Sequence, residues 1–183
     1  SVREELKKAL DRVRESIRRL SEELREVLER SEDTIRRLVE DLERVNEETR
    51  REIEDLARKI RDDRLRRILE EVLKESTRLV EEVKRILKRV LDENRRLVEE
   101  VDRINKDVLR EVRRLVEELR RVDDERIMKE IEKRIEDLER EVKEVNREVI
   151  ERAEESNRRV EELVREAKKR SRELLKRVRE EAK

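Results

Sequence analysis

Glycine, proline, cysteine, histidine, glutamine and all three aromatic residues are missing from this chain of 183 residues. Average soluble domains carry about 7% Gly and about 5% Pro, so their joint absence lies far outside base rates. Without glycine there is neither the usual helix C-cap nor a phosphate-cradling loop. Without proline, nothing interrupts a helix from within. Without cysteine and histidine, the usual zinc sites are excluded and no imidazole is present to activate a serine. The lack of cysteine also leaves the redox compartment, and with it the localisation, undetermined. No stretch approaches the roughly 18 uncharged apolar residues of a membrane span, and no signal peptide is visible.

What remains is twelve residue types, of which Asp, Glu, Lys and Arg make up 59%. Acidic and basic residues balance at 54 each, giving a formal net charge of zero. That balance argues against a nucleic-acid binder, which concentrates Lys and Arg on one face. The 33% of hydrophobic residues separates the chain from a disordered polyampholyte, which cannot bury enough surface to offset chain entropy.

The apolar residues are spaced as a helical stripe. In the first third it runs from Leu6 through Leu10, Val13 and Ile17 to Ile60 in alternating steps of four and three, with double fours centred on Ser31 and Thr49. Fifteen steps cover 54 residues, or 3.6 per turn. The second third, Leu65 to Val122, has its double fours at Val90 and Val108, and the last third, Met128 to Val178, at Val149 and Ala167. In all three segments the irregular steps lie 18 residues apart. A strict heptad repeat imposes a left-handed supercoil and four-residue insertions unwind it, so this spacing predicts nearly straight helices.

Between segments the stripe jumps by five residues, from Ile60 to Leu65 and from Val122 to Ile127, and each jump spans an Asp pair. Asp62-Asp63 and Asp123-Asp124 are expected as helix N-caps or loop residues, because an Asp carboxylate accepts bonds from free first-turn amides. Basic residues precede each pair, as suits a helix C-terminus. The expectation is one all-α domain over residues 1–183, a long antiparallel three-helix bundle running up-down-up. Its helices, of about 58 residues each, cover about 2–61, 64–122 and 125–182 and are joined by tight loops. At 1.5 Å per residue each helix would be about 85 to 90 Å long.

Folding back at the Asp pairs places the polar residues of the stripes at shared heights, with helices one and three offset by about 122 residues. Thr49 then lies level with Ser76 and Ser171, with Asn46 and Thr77 adjacent. Ser31 faces Asn94, with Ser156 and Asn157 about a turn from the matching point. Asn105 falls opposite Ser21 and close to Asn146. Such groups cost about 1–3 kcal/mol each when buried unpaired, so they are expected to pair across the core and to penalise other registers. The other reading is that some face solvent or bond back to their own helix. On the outer faces, acidic–basic pairs at four-residue spacing, such as Glu15–Arg19 and Asp55–Lys59, mark a solvated surface.

Chemistry finds little purchase. No charged residue lies on the inferred core line, and acidic residues such as Glu4 and Glu22 sit off it, in water, with no apolar pocket to perturb them. The Glu-x-x-His motif of di-iron bundles is absent. No catalytic, metal-binding or cofactor-binding residue is assigned, and an enzyme is not expected. Neither nucleic acid nor a membrane is expected as a partner. The chain reads as a monomer, with a homo-oligomer or a helical partner that uses part of the stripe as the alternative.

The 18-residue stutter, the equal thirds, the Asp loops and the reduced alphabet together resemble the computationally designed, parametrically generated helical bundles. The closest type is the untwisted antiparallel three-helix bundle with buried hydrogen-bond layers. The resemblance covers the whole chain. It implies a structural scaffold of very high thermal stability with no catalytic or ligand-binding role.

Overall fold

An α-helix leaves its last carbonyls and first amides without partners, and a chain without glycine must satisfy them by other means. In the computed structural model, which describes residues 1–183, three helices form: α1 (Val2–Lys59), α2 (Asp63–Arg121) and α3 (Glu125–Glu181). No non-glycine residue takes a positive φ, so neither connection uses a left-handed cap. Asp62 caps α2: its carboxylate accepts the Arg64 amide at 2.9 Å and its carbonyl the Arg66 amide at 3.1 Å. Asp124 repeats this for α3, accepting the amides of Arg126 at 3.1 Å and Met128 at 3.1 Å. The cap is thus the first Asp of one pair and the second Asp of the other. Asp63 instead opens α2 as a favourable first-turn charge, and Asp123 takes the Arg3 guanidinium at 2.6 Å.

Arginine does at the helix ends what glycine usually does. The Arg66 guanidinium donates to the Ile60 carbonyl at 3.0 Å, and that of Arg3 to the Val122 carbonyl at 2.5 Å. α1 stops at Lys59 rather than near residue 61 because the N-cap Asp62 needs non-helical backbone. The chain has to leave the helix before reaching it.

The protein is an all-α three-helix bundle. Its residues gather in two compact units, each drawing one stretch from every helix: Ser1–Arg30 with Glu93–Glu154, and Ser31–Asp92 with Glu155–Lys183. The first unit's main core joins Leu10, Val13, Val112, Leu119, Leu138 and Val142, and a smaller cluster joins Leu24, Val101 and Val149. The second unit has one cluster around Leu42, Val80, Leu87 and Val164, and another around Ile53, Leu69, Leu174 and Val178. Each such side chain contributes about 1.5–3 kcal/mol when fully removed from water.

In the second unit α1 and α2 are antiparallel, since Glu43 meets Lys84 while the later Asn46 meets the earlier Ser76. α1 and α3 are parallel, with contacts Ser31–Asn157, Asp41–Lys168 and Glu52–Arg179 separated by 126, 127 and 127 residues. The offset is therefore about one turn beyond the expected 122. Two short links settle only coarsely how far helices slide past one another. Matching of facing side chains, which comes in steps of three or four residues, sets the rest.

The deepest line also moves by one residue in places. Val80, Leu87 and Val164 are nearly inaccessible, while Leu79, Ile86 and Leu163 are only half-buried. A helix touching two neighbours buries a sector wider than one row, and the bisector of that sector is the deepest. On the surface, Glu15 and Asp55 pair with Arg18 and Arg58 at three-residue spacing. Between helices, Arg134 grips both oxygens of Glu111 at 2.5 and 2.8 Å.

Two outcomes follow for folding stability. Asp62→Ala or Asp124→Ala should each cost about 1 kcal/mol, with Asp63→Ala and Asp123→Ala costing only about a few tenths, as read from guanidinium denaturation midpoints. The bond from Arg134, first among the causes, holds the Glu111 carboxyl below its ordinary value of 4.5 against the opposing effect of burial. A depressed folded-state pKa gives stability that is present above the unfolded value and lost as pH falls through the folded one. Glu111→Gln should therefore lower stability near neutral pH by up to about 1 kcal/mol and flatten its decline below about pH 4.5, in denaturation series at stepped pH.

Candidate functional site

The only polar side chains deep in the core are amides and hydroxyls. Ser31, Thr49, Ser76, Asn94, Asn105, Asn146 and Ser171 are buried, and no Asp, Glu, Lys or Arg joins them. Helix geometry places them there, since each falls on or beside the apolar stripe at a three- or four-residue step.

In the first unit, a polar layer separates the two apolar clusters. The Asn105 amide donates to the Ser21 hydroxyl at 3.4 Å and to the Asn146 carbonyl oxygen at 3.4 Å. Asn146 returns a bond to Asn105 at 3.3 Å and donates to its own helix at the Val142 carbonyl, 2.7 Å away. The cross-helix bonds lie beyond the usual 2.7–3.2 Å for N–H···O, so the short intrahelical bond to Val142 is the firmest anchor. Ser21 is half-buried. Asn94 is buried in this unit.

The second unit has two polar levels. At one, the fully buried Ser31 hydroxyl donates to Asn157 Oδ1 at 2.6 Å. Asn157 and Ser156 are both half-buried. The one-turn shift of α3 brings Asn157 to Ser31, which the smaller offset would have left a turn away. At the other level, Ser76 donates to Asn46 Oδ1 at 3.1 Å. Thr49 bonds back to the Val45 carbonyl at 2.9 Å rather than across the core. Thr77 does not belong to the core at all: it is exposed and bonds to the Leu73 carbonyl at 3.0 Å. One residue beyond Ser76 is a turn of about 100° at 3.6 residues per turn, which carries its side chain out to water.

Ser171 is the exception in this layer. It has no exposed surface, and its hydroxyl has no hydrogen-bond partner. The same shift of α3 that serves Asn157 moves Ser171 about a turn away from Thr49, its expected partner.

No group of three or more Asp and Glu residues is placed to hold a metal ion, and no helix is long and apolar enough to cross a membrane. A groove of about 640 Å³ is an open surface feature of the first unit lined by Val2, Met128 and charged residues including Arg3, Glu125 and Lys129. No protein-family model, curated protein or solved structure matches the chain.

The helix-end residues not foreseen from the sequence are the carbonyl-bonding arginines, Arg3 and Arg66. Their one available signal was position, a long donor within a few residues of an end that lacked glycine. For the polar layer, Ser171→Ala should raise stability by about 1 kcal/mol by removing an unpaired buried hydroxyl. Ser76→Ala, which strands the Asn46 carbonyl oxygen, should lower it, in paired denaturation curves.

Proposed function

We propose that this chain is a structural scaffold of the computationally designed type, with no natural biochemical function. On this reading it is a monomeric, thermally robust bundle with unsupercoiled helices and no enzymatic activity. Its cross-helix pairs, Ser31–Asn157, Ser76–Asn46 and Asn105–Asn146, specify register and helix order. The observation that carries the reading is the partition of side chains. Every ionisable group lies outside the core, while only amides and hydroxyls enter it, set between apolar clusters. An aliphatic core tolerates many registers at similar energy, whereas a polar layer penalises each register that leaves its groups unpaired.

A second reading is an interaction module that selects a helical partner through part of its stripe or polar layers. The unpartnered Ser171 hydroxyl favours it, because a polar group set into a core without a partner suits an arrangement other than the monomer.

Light scattering separates the two. A mass of 22.6 kDa and no unfolding below about 90 °C fit the scaffold, while twice that mass overturns the monomer. The register role is tested by the double change Asn105→Leu with Asn146→Leu. Replacing both partners with apolar groups should leave stability near neutral or higher but multiply the amide NMR peaks. One undivided set of peaks would remove the claim for this layer.

A further inference from the structure

In each unit one helical stretch packs on a hairpin of the other two helices: the start of α1 on α2 and α3 in the first unit, and the end of α3 on α1 and α2 in the second. Their cores differ sharply. Residues 2–30 bury Leu6, Leu10, Val13, Ile17, Leu24 and Val27. Residues 155–183 contain no isoleucine, whereas the first half of α3 has Ile127, Ile131, Ile135 and Ile150. The end of α3 buries Val160, Val164, Leu174 and Val178, but it also gives core positions to Ala167 and Ser171. Ser171 is the one fully buried hydroxyl without a partner.

The contacts that hold this segment to its neighbours are to a large extent polar. Asn157 accepts from Ser31, Lys168 meets Asp41 at 3.1 Å, Arg170 meets Glu75 at 3.1 Å, and Arg179 bonds Glu52. The three ion pairs are partly open to water, with side-chain exposures between 24% and 56%. Exposed ion pairs are screened by salt, and apolar burial is strengthened rather than weakened by many salts. A segment with a thin apolar face and several exposed ion pairs is therefore loosened selectively as ionic strength rises.

From this we infer that residues 155–183 act as a displaceable strap, closing over the α1–α2 hairpin of their unit and opening without global unfolding. Opening uncovers the hairpin face that carries Ile35, Leu42, Ile53, Leu69, Val80 and Val83. Salt promotes opening and a filled core opposes it. The inference stands whether or not the chain is a designed scaffold.

Native-state hydrogen exchange on the full chain tests it, because local opening and global unfolding differ in their dependence on denaturant. Amides of residues 160–178 should exchange at least about tenfold faster than those of residues 6–24 and respond weakly to low urea, the signature of sub-global opening. In 0.5 M NaCl they should speed up several-fold further, while residues 6–24 do not. Equal protection of the two stretches overturns the strap. Exchange of residues 160–178 that ignores salt also overturns it. Ser171→Ala should slow exchange in 160–178 about fivefold or more, because it stabilises only the closed form; unchanged exchange there would sink the proposal.

Discussion

Removal of one apolar stripe per helix from water is the interaction on which everything else in this protein depends. Helix propensity alone would not hold segments of this length in one arrangement, since most helical stability in proteins comes from packing an amphipathic face. With 59% of the residues charged, the stripe is the only surface whose burial is favourable. The outer faces gain little from their ion pairs, which are mostly exposed and contribute about 0–1 kcal/mol each. The phase of the stripe therefore decides which side of each helix turns inward. The two largest interruptions in that phase, the five-residue jumps, coincide with the reversals at the Asp caps.

The helix ends show how a restricted alphabet is compensated. Glycine normally resolves the free carbonyls by turning the chain into the left-handed region. Here Asp62 and Asp124 satisfy the incoming amides, and the guanidiniums of Arg66 and Arg3 reach the carbonyls of Ile60 and Val122. The two connections solve the same problem with different members of their Asp pairs. A carboxylate has only to lie beside the first free amides, and the position that achieves this depends on where the preceding helix ends.

Polar groups in the core divide into those that cross between helices and those that turn back on their own. Ser31, Ser76 and Asn105 bond to neighbouring helices, Asn146 does both, and Thr49 donates to the Val45 carbonyl of its own helix. The distinction matters energetically. A hydroxyl bonded to the carbonyl four residues before it is satisfied in any register and so specifies none, whereas a cross-helix bond is lost on sliding. Ser171 does neither and is a local deficit within a core that is otherwise satisfied. It lies in the segment of α3 with the fewest large aliphatics, which concentrates the structural weakness in one place.

Fold class, helix number, the sites of reversal and most buried positions were legible in the sequence, because hydrophobic periodicity and capping act over a few residues. Leu10, Val13, Leu42, Leu119 and Leu138 could be placed in the core from spacing alone, and the two Asp pairs at the reversals from their chemistry, but not which member of each pair caps. The slide of α3 against α1, the exchange of Leu79 for Val80 on the deepest line, the exposure of Thr77 and the isolation of Ser171 were not legible. Those depend on how three helices settle against one another. Stripes repeated in steps of three and four residues offer several nearly equivalent alignments one turn apart, and only simultaneous packing of all three faces selects among them.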